Sequence, residues 1–231
     1  MASEFLSKYL FAKTIVLDEG YSSEISWQSN LIFDDLDERT FLRELAWVIL
    51  SSGMRERIIA NLFDDISKCF FDWLSAEAIV VNKDRCFHKA IRFFNNKAKI
   101  SAIIDGAHKI NTISFDQLKK KIRENPIENL QKFSYIGPVI VYHLAKNIGL
   151  PVAKPDRHLT RIANKEGYSD VQKFCDEISK LSGDSIPVVD IVLWRFATIE
   201  NDYLNVLSVV ENDFECFEKT RVESYEEQPF K

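Results

Sequence analysis

The string "KPDRHLTR" places one acidic residue, Asp156, directly after a proline and in front of residues typical of a new helix. Two chemical roles fit a carboxylate at such a position. Aspartate is among the preferred helix N-caps, where its side chain accepts hydrogen bonds from backbone N–H groups. A helix N-terminus also favours the ionised carboxylate, which can stabilise positive charge on a substrate or deprotonate an attacking water. One residue can fill both roles. Whether Asp156 has the catalytic role as well as the capping role therefore depends on the elements around it.

The composition is that of an ordinary folded protein. The chain has 231 residues, of which 46% are hydrophobic and 12% aromatic, enough for a core in one or two domains. We expect no signal peptide, because the N-terminal residues lack a basic patch and a small-residue cleavage site. We expect no membrane span, because no apolar run approaches the roughly 20 residues required. These features predict a cytoplasmic, nucleoid-associated protein.

The residues that most often bind metals are scattered along the chain. None of the four cysteines has a C-x-x-C neighbour, which argues against a zinc site and a disulfide framework. The four histidines show no H-x-x-x-H spacing. These residues are Cys69, Cys86, Cys175 and Cys216, and His88, His108, His143 and His158. We therefore predict neither a metal nor another cofactor.

Charge is unevenly distributed. The net charge is −5, but the segment from Lys83 to Arg161 contains 16 Lys and Arg against 6 Asp and Glu, a local +10 that leaves −15 for the remainder. The basic segment includes "NKDRCFHKAIRFFNNKAK" and "LKKKIREN", whereas the C-terminal "ENDFECFEKTRVESYEE" is acidic. A charge run is usually only a solvated face. Its concentration in one segment favours a surface that faces a polyanion.

The hydrophobic periodicity predicts an all-α fold. "TFLRELAWVILSS" is too apolar for a surface helix and predicts a buried central one, and "RERIIANLFDDISKCFFDWL" predicts a second amphipathic helix. Ser114 with Gln117, and Ser169 with Gln172, have the form of a capping box. One short segment near the N-terminus, "KTIVLD", is instead predicted as a strand.

The central stretch "NPIENLQKFSYIGPVIVYHLAKNIG" predicts a helix–hairpin–helix at about residues 126–149. A short helix comes first, "YIG" forms the turn, Gly137 and Pro138 start the second helix, and Gly149 ends it at the C′ position. A further helix begins at Asp156 and ends before Gly167. The helix N-terminus after such a turn presents backbone N–H groups outward, which suits a phosphate oxygen of a nucleic acid.

These elements, in this order, resemble the helix–hairpin–helix DNA glycosylases of the endonuclease III superfamily. The resemblance covers roughly residues 39–200 and depends on three features. They are the apolar helix ending in "ILSS", the "NNKAK" element that opens the next helix, and the hairpin followed by Asp156 with His158 and Arg161 behind it. The resemblance implies two all-helical domains with a cleft between them. One is a six-helix barrel at 39–150, and the other is formed by 1–38 together with 151–231.

In that family the aspartate after the hairpin is catalytic, and Asp156 is the residue that matches. Cleavage of an N-glycosidic bond builds positive charge on the deoxyribose, which a fixed carboxylate stabilises. The resemblance implies double-stranded DNA as the partner, with Gly137 and Val139 contacting phosphate through their N–H groups. His158 and Arg161 would brace the aspartate or contact phosphate. The further DNA-binding candidates are Tyr135, Lys154 and Arg157.

Departures from the family pattern refine this expectation. Members that also cut the DNA backbone carry a lysine just after the hairpin glycine, but here the stretch reads "GPVIV". This predicts a monofunctional glycosylase that leaves an abasic site, with Lys146 or Lys154 as the alternative amine for a lyase. Tyr135 replaces the first hairpin glycine, which predicts an altered turn with a weaker grip on phosphate. The four-cysteine iron–sulfur loop of many members is absent from the sequence.

Members of the family flip the target nucleotide, fill the gap with a wedge side chain and stack the flipped base on aromatic rings. The wedge commonly follows "ILSS", so Met54 and Arg55 are candidates here, with Met54 preferred. Trp47, Trp73 and Trp194 could line a base pocket, although buried tryptophans in a helical protein are more often core residues. The base could be alkylated, oxidised, deaminated, mismatched or a modified base of foreign DNA.

Two other classes of protein remain open. A helix–hairpin–helix DNA-binding protein without catalysis would account for the altered hairpin and the overall acidity, but not for an aspartate at the catalytic spacing. A helical protein–protein adaptor would use the acidic C-terminal region as its binding surface, which predicts a protein partner there.

Overall fold

The structure, a computed structural model, describes residues 2–210 of the chain. Helices and turns account for this range, which contains no strand, so the prediction of an all-α fold is confirmed for it. None of its helices is long and apolar enough to cross a membrane. The α-helices are α1 Ala2–Asp18, α2 Ser22–Ser29, α3 Glu38–Ser51, α4 Glu56–Cys69, α5 Ala76–Val81, α6 Lys83–Phe93, α7 Lys97–Ile113, α8 Phe115–Glu124, α9 Pro126–Leu130, α10 Ile140–Asn147, α11 Arg157–Lys165, α12 Val171–Ser182, α13 Ile186–Ile199 and α14 Tyr203–Val209. Short 3-10 helices span Phe33–Asp35 and Phe71–Trp73.

The chain divides into two compact units. One is continuous, Leu31–Lys154, and contains α3 to α10. The other combines Met1–Asn30 with Pro155–Lys231, and its described part contains α1, α2 and α11 to α14. The hairpin segment therefore lies in the first unit and Asp156 in the second. The identification of 39–150 as a six-helix barrel stays a prediction.

Helix α3 is the central helix of the unit Leu31–Lys154. Asp37 caps its N-terminus by accepting the Thr40 N–H over 2.7 Å. Consecutive residues from Ala46 to Leu50 include several that are fully buried, as the sequence predicted for an interior helix. Helix α7 approaches α3 at Gly106, where an added Cβ would lie 2.7 Å from the Leu45 side chain. The missing side chain is therefore what allows the two helices to pack so closely.

A buried polar contact joins α3 to α10. Asn147 Nδ2 donates to Glu44 Oε2 over 2.9 Å, although the two residues are 103 positions apart. Arg43 Nη1 lies 2.5 Å from the other carboxylate oxygen. Burial raises the pKa of Glu44, while Arg43 and Asn147 oppose that shift. Because removing one partner would leave a buried charge uncompensated, this contact specifies where α10 lies on α3.

In the other unit, α1 packs against α12 and α13. Lys8 Nζ donates to Glu166 over 3.1 Å. Asp184 accepts hydrogen bonds from Tyr9 Oη over 2.5 Å and from Lys13 Nζ over 2.7 Å. These polar contacts connect α1 to the C-terminal half of the chain and make the two segments one unit.

Two local predictions are wrong and one is confirmed. The segment "KTIVLD" lies in α1 and not in a strand, because α1 packs against α12 and α13 and buries Val16, at 1% exposure, on that side. Ser169 does not cap α12. Asp170, one position later, does so by accepting the N–H groups of Gln172 and Lys173. Ser114 caps α8 as predicted.

The turn after α4 is left-handed. Phe71, Asp72 and Trp73 have φ values of 57°, 50° and 64°, and such a backbone costs about 1–2 kcal/mol per residue with a side chain. Trp73 is 2% exposed and stacks on Phe70 with ring centroids 5.0 Å apart. Its indole N–H donates to Ser67 Oγ over 2.9 Å. Burial of the indole offsets the strain, and Trp73 is a core residue.

Candidate active site

Asp156 is the N-cap of α11. Its Oδ1 atom accepts both cap hydrogen bonds, from the N–H of His158 over 2.8 Å and from the N–H of Leu159 over 3.0 Å. Its Oδ2 atom accepts none from any residue that the structure describes. The side chain is half-buried. The capping role is thus filled by one oxygen, and the second oxygen is left for another partner.

The ring of His158 points elsewhere. It packs edge-on against the ring of Tyr203, with centroids 5.5 Å apart, and Arg157 Nε lies 3.2 Å from its Nε2 atom. Burial lowers the pKa of His158. The negative charge of Asp156 opposes this shift, whereas the positive charges of Arg157 and Arg161 add to it. The bracing of Asp156 expected from His158 is therefore provided by its backbone N–H and not by its ring.

Tyr203 was not among the residues that the sequence singled out. It is 5% exposed, and its hydroxyl and the Nδ1 atom of His158 are both buried without a hydrogen-bond partner in the described part of the chain. Buried polar atoms are nearly always satisfied by protein or by ordered water. No local pattern marks Tyr203, because its contact joins α11 to a helix far along the chain.

The basic candidates differ in exposure. Arg157 and Arg161 are exposed on α11, and Arg161 forms no ion pair with a described residue. Lys154 is half-buried. Lys146, the other amine considered for a lyase, is only 4% exposed on α10. Its amine is enclosed within its own unit, so Lys154 is the better placed of the two.

Residues 131–139 join α9 and α10, which pack against each other. Phe133 and Ile136 are buried within this turn, and the Ile136 N–H donates to the Phe133 carbonyl over 3.2 Å. Tyr135 has φ 66° and is 43% exposed. The turn therefore keeps a left-handed residue where the resembled family has a glycine, and the tyrosine side chain points outward. The identity of this segment as a DNA-binding hairpin stays a prediction.

The start of α10 carries open backbone donors. The Gly137 carbonyl accepts the Val141 N–H over 2.9 Å, while the helix itself begins at Ile140, later than the predicted Gly137 and Pro138. Pro138 and Val139 form the turn that precedes it. The N–H groups of Gly137 and Val139 donate to no described residue. A Cβ added at Gly137 would meet nothing within 4 Å, so there is space beside its Cα.

Contacts within the unit Leu31–Lys154 hold this turn in place. The Phe133 ring lies 5.6 Å from that of Phe41. Lys109 Nζ lies 5.6 Å from the Phe133 ring centroid and donates to the Lys132 carbonyl. The turn is thus fixed from its inner side, and its outer side carries Tyr135.

The loop after α3 carries the wedge candidates. Gly53 has φ 67°, Met54 is 39% exposed, and Arg55 is exposed at the N-cap position of α4. Trp47 is half-buried, with its ring edge-on to Phe63 at 5.0 Å. Met54 is therefore accessible, as a wedge requires, whereas most of Trp47 serves packing.

Lys99 positions this loop. Asn96 caps α7 by accepting the Lys99 N–H, which confirms that "NNKAK" opens a helix. Lys99 is 5% exposed, burial lowers its pKa, and its Nζ donates to the carbonyls of Leu50 over 2.7 Å and Ser52 over 2.5 Å. A cation at a helix C-terminus satisfies carbonyls that the helix leaves free. From the sequence, Lys99 was only one of the cations of the basic segment, and no local pattern predicted this contact.

The remaining candidates are Trp194, the cysteines and the possible metal ligands. Trp194 is half-buried beneath Arg195, whose guanidinium lies 4.6 Å from its ring. The described cysteines are buried and form no disulfide. No group of three or more His, Cys, Asp or Glu side chains between residues 2 and 210 is placed to hold a metal ion. Cys216 and the acidic C-terminal region lie outside the described residues.

Each unit thus carries groups without a described partner. In the unit that contains Pro155–Lys231 this is the second oxygen of Asp156, and in the unit Leu31–Lys154 these are the amides of Gly137 and Val139, with Met54 exposed. Comparisons with protein-family models, curated proteins and solved structures find no match to this chain.

Proposed function

We propose that the protein is a monofunctional DNA glycosylase, which hydrolyses the N-glycosidic bond of a damaged or modified base in duplex DNA. The coordination of Asp156 carries this proposal. Its Oδ1 atom takes both cap hydrogen bonds, and its Oδ2 atom takes none from a described residue. Such a carboxylate is rigid, because the helix holds it, and it still has an oxygen available for a substrate.

The chemistry needs one fixed anion. As the bond between C1′ and the base breaks, its electron pair stays with the base and positive charge develops on the sugar. The Asp156 carboxylate stabilises that charge, and Oδ2 accepts a proton from the water that attacks C1′. The products are the free base, which takes up a proton, and an abasic deoxyribose.

Two further features support a DNA substrate. The open amides of Gly137 and Val139 at the start of α10 suit a phosphate oxygen, whereas Pro138 has no N–H to donate. The exposed side chains of Arg157 and Arg161 on α11 add positive charge beside Asp156 in the sequence. We assign the wedge to Met54, and we expect the protein to act on chromosomal DNA in the cytoplasm.

The proposal includes no lyase step. The residues after Gly137 are Pro138 and Val139, which carry no amine, and Lys146 is buried. A Schiff base with the sugar would have to come from Lys154. Strand cleavage should therefore require alkali.

Asp156→Asn tests the proposal because asparagine is also a good N-cap and preserves the fold of α11. Asp170→Asn is the matched control, since Asp170 caps α12 through the same kind of bonds, to Gln172 and Lys173. Each protein is incubated with duplexes that contain different damaged or modified bases, followed by heating in alkali. We expect the wild type and Asp170→Asn to give alkali-dependent cleavage of one duplex, and Asp156→Asn to lose at least about 100-fold in rate, in the range of general acid–base catalysis.

A DNA-binding protein without catalysis is the second candidate, because capping α11 already accounts for Asp156. In that case every duplex would be bound and none cleaved. Cleavage at equal rates by Asp156→Asn and Asp170→Asn would refute the catalytic assignment, and cleavage without alkali would instead identify a lyase amine such as Lys154.

A further inference from the structure

The solvent-facing side of α6 is basic. Cys86 and Ala90 are buried and pack this helix onto its unit. The opposite side exposes basic residues at spacings of three, four and seven, which place them on one face. This α6 basic face consists of Arg85, His88, Lys89 and Arg92. The acidic residue of the helix, Asp84, lies in the first turn beside it.

Helix stability explains only part of the α6 basic face. Arg85 lies near the N-terminus of the helix, where the helix dipole disfavours a cation. Arg85 with Lys89, and Lys89 with Arg92, are like-charged pairs on neighbouring turns, which cost roughly 0.2–0.5 kcal/mol each. None of these three residues forms an ion pair within the described range 2–210. The like-charged pairs therefore have no acidic partner in the described range, although the Arg85 guanidinium lies 5.7 Å from the Phe71 ring centroid and Arg92 lies in the last turn, where the helix dipole favours a cation.

Three exposed lysines on other helices are treated differently. Each is paired with an acid three or four residues away on its own helix, the ordinary way to neutralise a helical cation. The pairs are Lys68–Asp65, Lys132–Glu128 and Lys180–Asp176, with N–O distances of 3.1, 3.1 and 2.5 Å. A chain with a net charge of −5 has acidic residues to supply such partners, and it places none on the α6 basic face.

We propose that the α6 basic face binds the phosphate backbone of duplex DNA, as a surface separate from the hairpin. Helix α6 packs on α4, α5 and α7, whereas the hairpin helices pack on α8 and α3, so the two surfaces lie on different parts of one unit. Repeated cations on one face match repeated phosphates, and affinity for DNA depends mainly on such contacts. Phe93, 44% exposed at the end of α6, adds an aromatic ring beside them. The choice of duplex DNA as the polyanion rests on the proposed function.

The test compares the variant Lys89→Gln/Arg92→Gln with the control Lys173→Gln/Lys180→Gln. Both remove two positive charges, but the control lysines lie on α12 and have acidic partners on their own helix. The affinity of each full-length protein for an undamaged duplex is measured by fluorescence anisotropy between about 50 and 200 mM salt.

We expect the α6 variant to reduce the slope of log affinity against log salt by about 1.8, because each phosphate that a side chain neutralises contributes about 0.9 to that slope. Across that salt range the affinity of the variant should then change about 12-fold less than that of the wild type. The control should keep the wild-type slope. The α6 variant should also fold as the wild type does, since Lys89 and Arg92 are exposed and form no ion pair with a described residue.

Equal slopes for the wild type and the α6 variant, or equal reductions in both variants, would overturn the proposal. A reduction seen only with single-stranded RNA or a polyglutamate peptide would assign the face to another partner and would also overturn it. The two proposals fail separately. Base release with an unchanged slope would refute the role of α6 alone, and an α6-dependent slope without base release on any duplex would refute the glycosylase alone.

Discussion

Replacing Gly149 with alanine should destabilise the unit Leu31–Lys154 much more than the same change at Gly53. Gly149 occupies the C′ position of α10 with φ 86°, and the two hydrogen bonds of a Schellman motif close the helix there. An added Cβ would lie 2.6 Å from the Phe33 nitrogen and 2.9 Å from the Ile32 carbonyl carbon. These are backbone atoms, which cannot rotate away as a side chain could.

The control isolates the cost of that close approach. Gly53 is the residue after the C-cap of α3 in the same unit, with φ 67°, and a Cβ there would meet nothing within 4 Å. Gly53→Ala should therefore cost only the left-handed strain, about 1–2 kcal/mol. Gly149→Ala adds overpacking, about 1–3 kcal/mol, for a total of about 2–5 kcal/mol.

The assay is urea unfolding of each full-length protein, followed by the fluorescence of its tryptophans. Trp47 and Trp73 report on this unit. We expect Gly149→Ala to lower the free energy of unfolding by about 1–3 kcal/mol more than Gly53→Ala. Equal decreases would refute the reasoning, because they would mean that residues 32 and 33 do not lie against the end of α10. The position of α10 would then depend on the contact between Glu44 and Asn147.

Two further perturbations test how the candidate site is held. Glu44 has a raised pKa because it is buried, so the wild type should lose stability as the pH rises from the usual value of 4.5 through the folded-state pKa. Glu44→Gln should remove that loss. In urea unfolding, the free energy of unfolding of the variant should therefore increase relative to that of the wild type between about pH 4 and 8. A difference that stays constant with pH would contradict the burial of Glu44. Lys99→Met keeps the aliphatic stem but leaves the carbonyls of Leu50 and Ser52 without their donor. We expect the free energy of unfolding to decrease by about 2 kcal/mol and the backbone amides around Met54 to exchange hydrogen faster. An unchanged exchange rate would show that Lys99 does not hold the loop.

Local patterns predicted most of the fold. The apolar spacing of α3 and the serine cap of α8 are properties of adjacent residues, and the structure has them as expected. The helix start at "NNKAK" was expected from the family resemblance, and Asn96 caps α7 there. Local patterns failed where contacts between residues far apart in the sequence determine the conformation. The β-branched residues of "KTIVLD" are helical because α1 is buried against α12 and α13. The left-handed turn at Phe71–Trp73 has no glycine to mark it and depends on burial of the Trp73 indole.

The candidate site was predictable in its residue types but not in its supports. The sequence singled out Asp156, Gly137 and the loop that contains Met54 as candidates. It could not reveal that Asn147 binds Glu44, that Tyr203 packs on His158, or that Lys99 and Lys146 are buried members of the basic segment. Each of these contacts joins residues that are distant along the chain. A count of charge in the sequence therefore overstates the charge that reaches the surface.

The geometry at Asp156 also explains why capping and catalysis can be separated by experiment. A helix cap needs one acceptor oxygen, and both Asp156 and Asp170 supply it through Oδ1 to the second and third N–H groups after the cap. Asparagine supplies the same oxygen, so the change to asparagine removes a negative charge from each site without removing the cap. If Asp156 were only a cap, the two variants would behave alike. A difference between them in base release would therefore measure what the charge does beyond holding the helix.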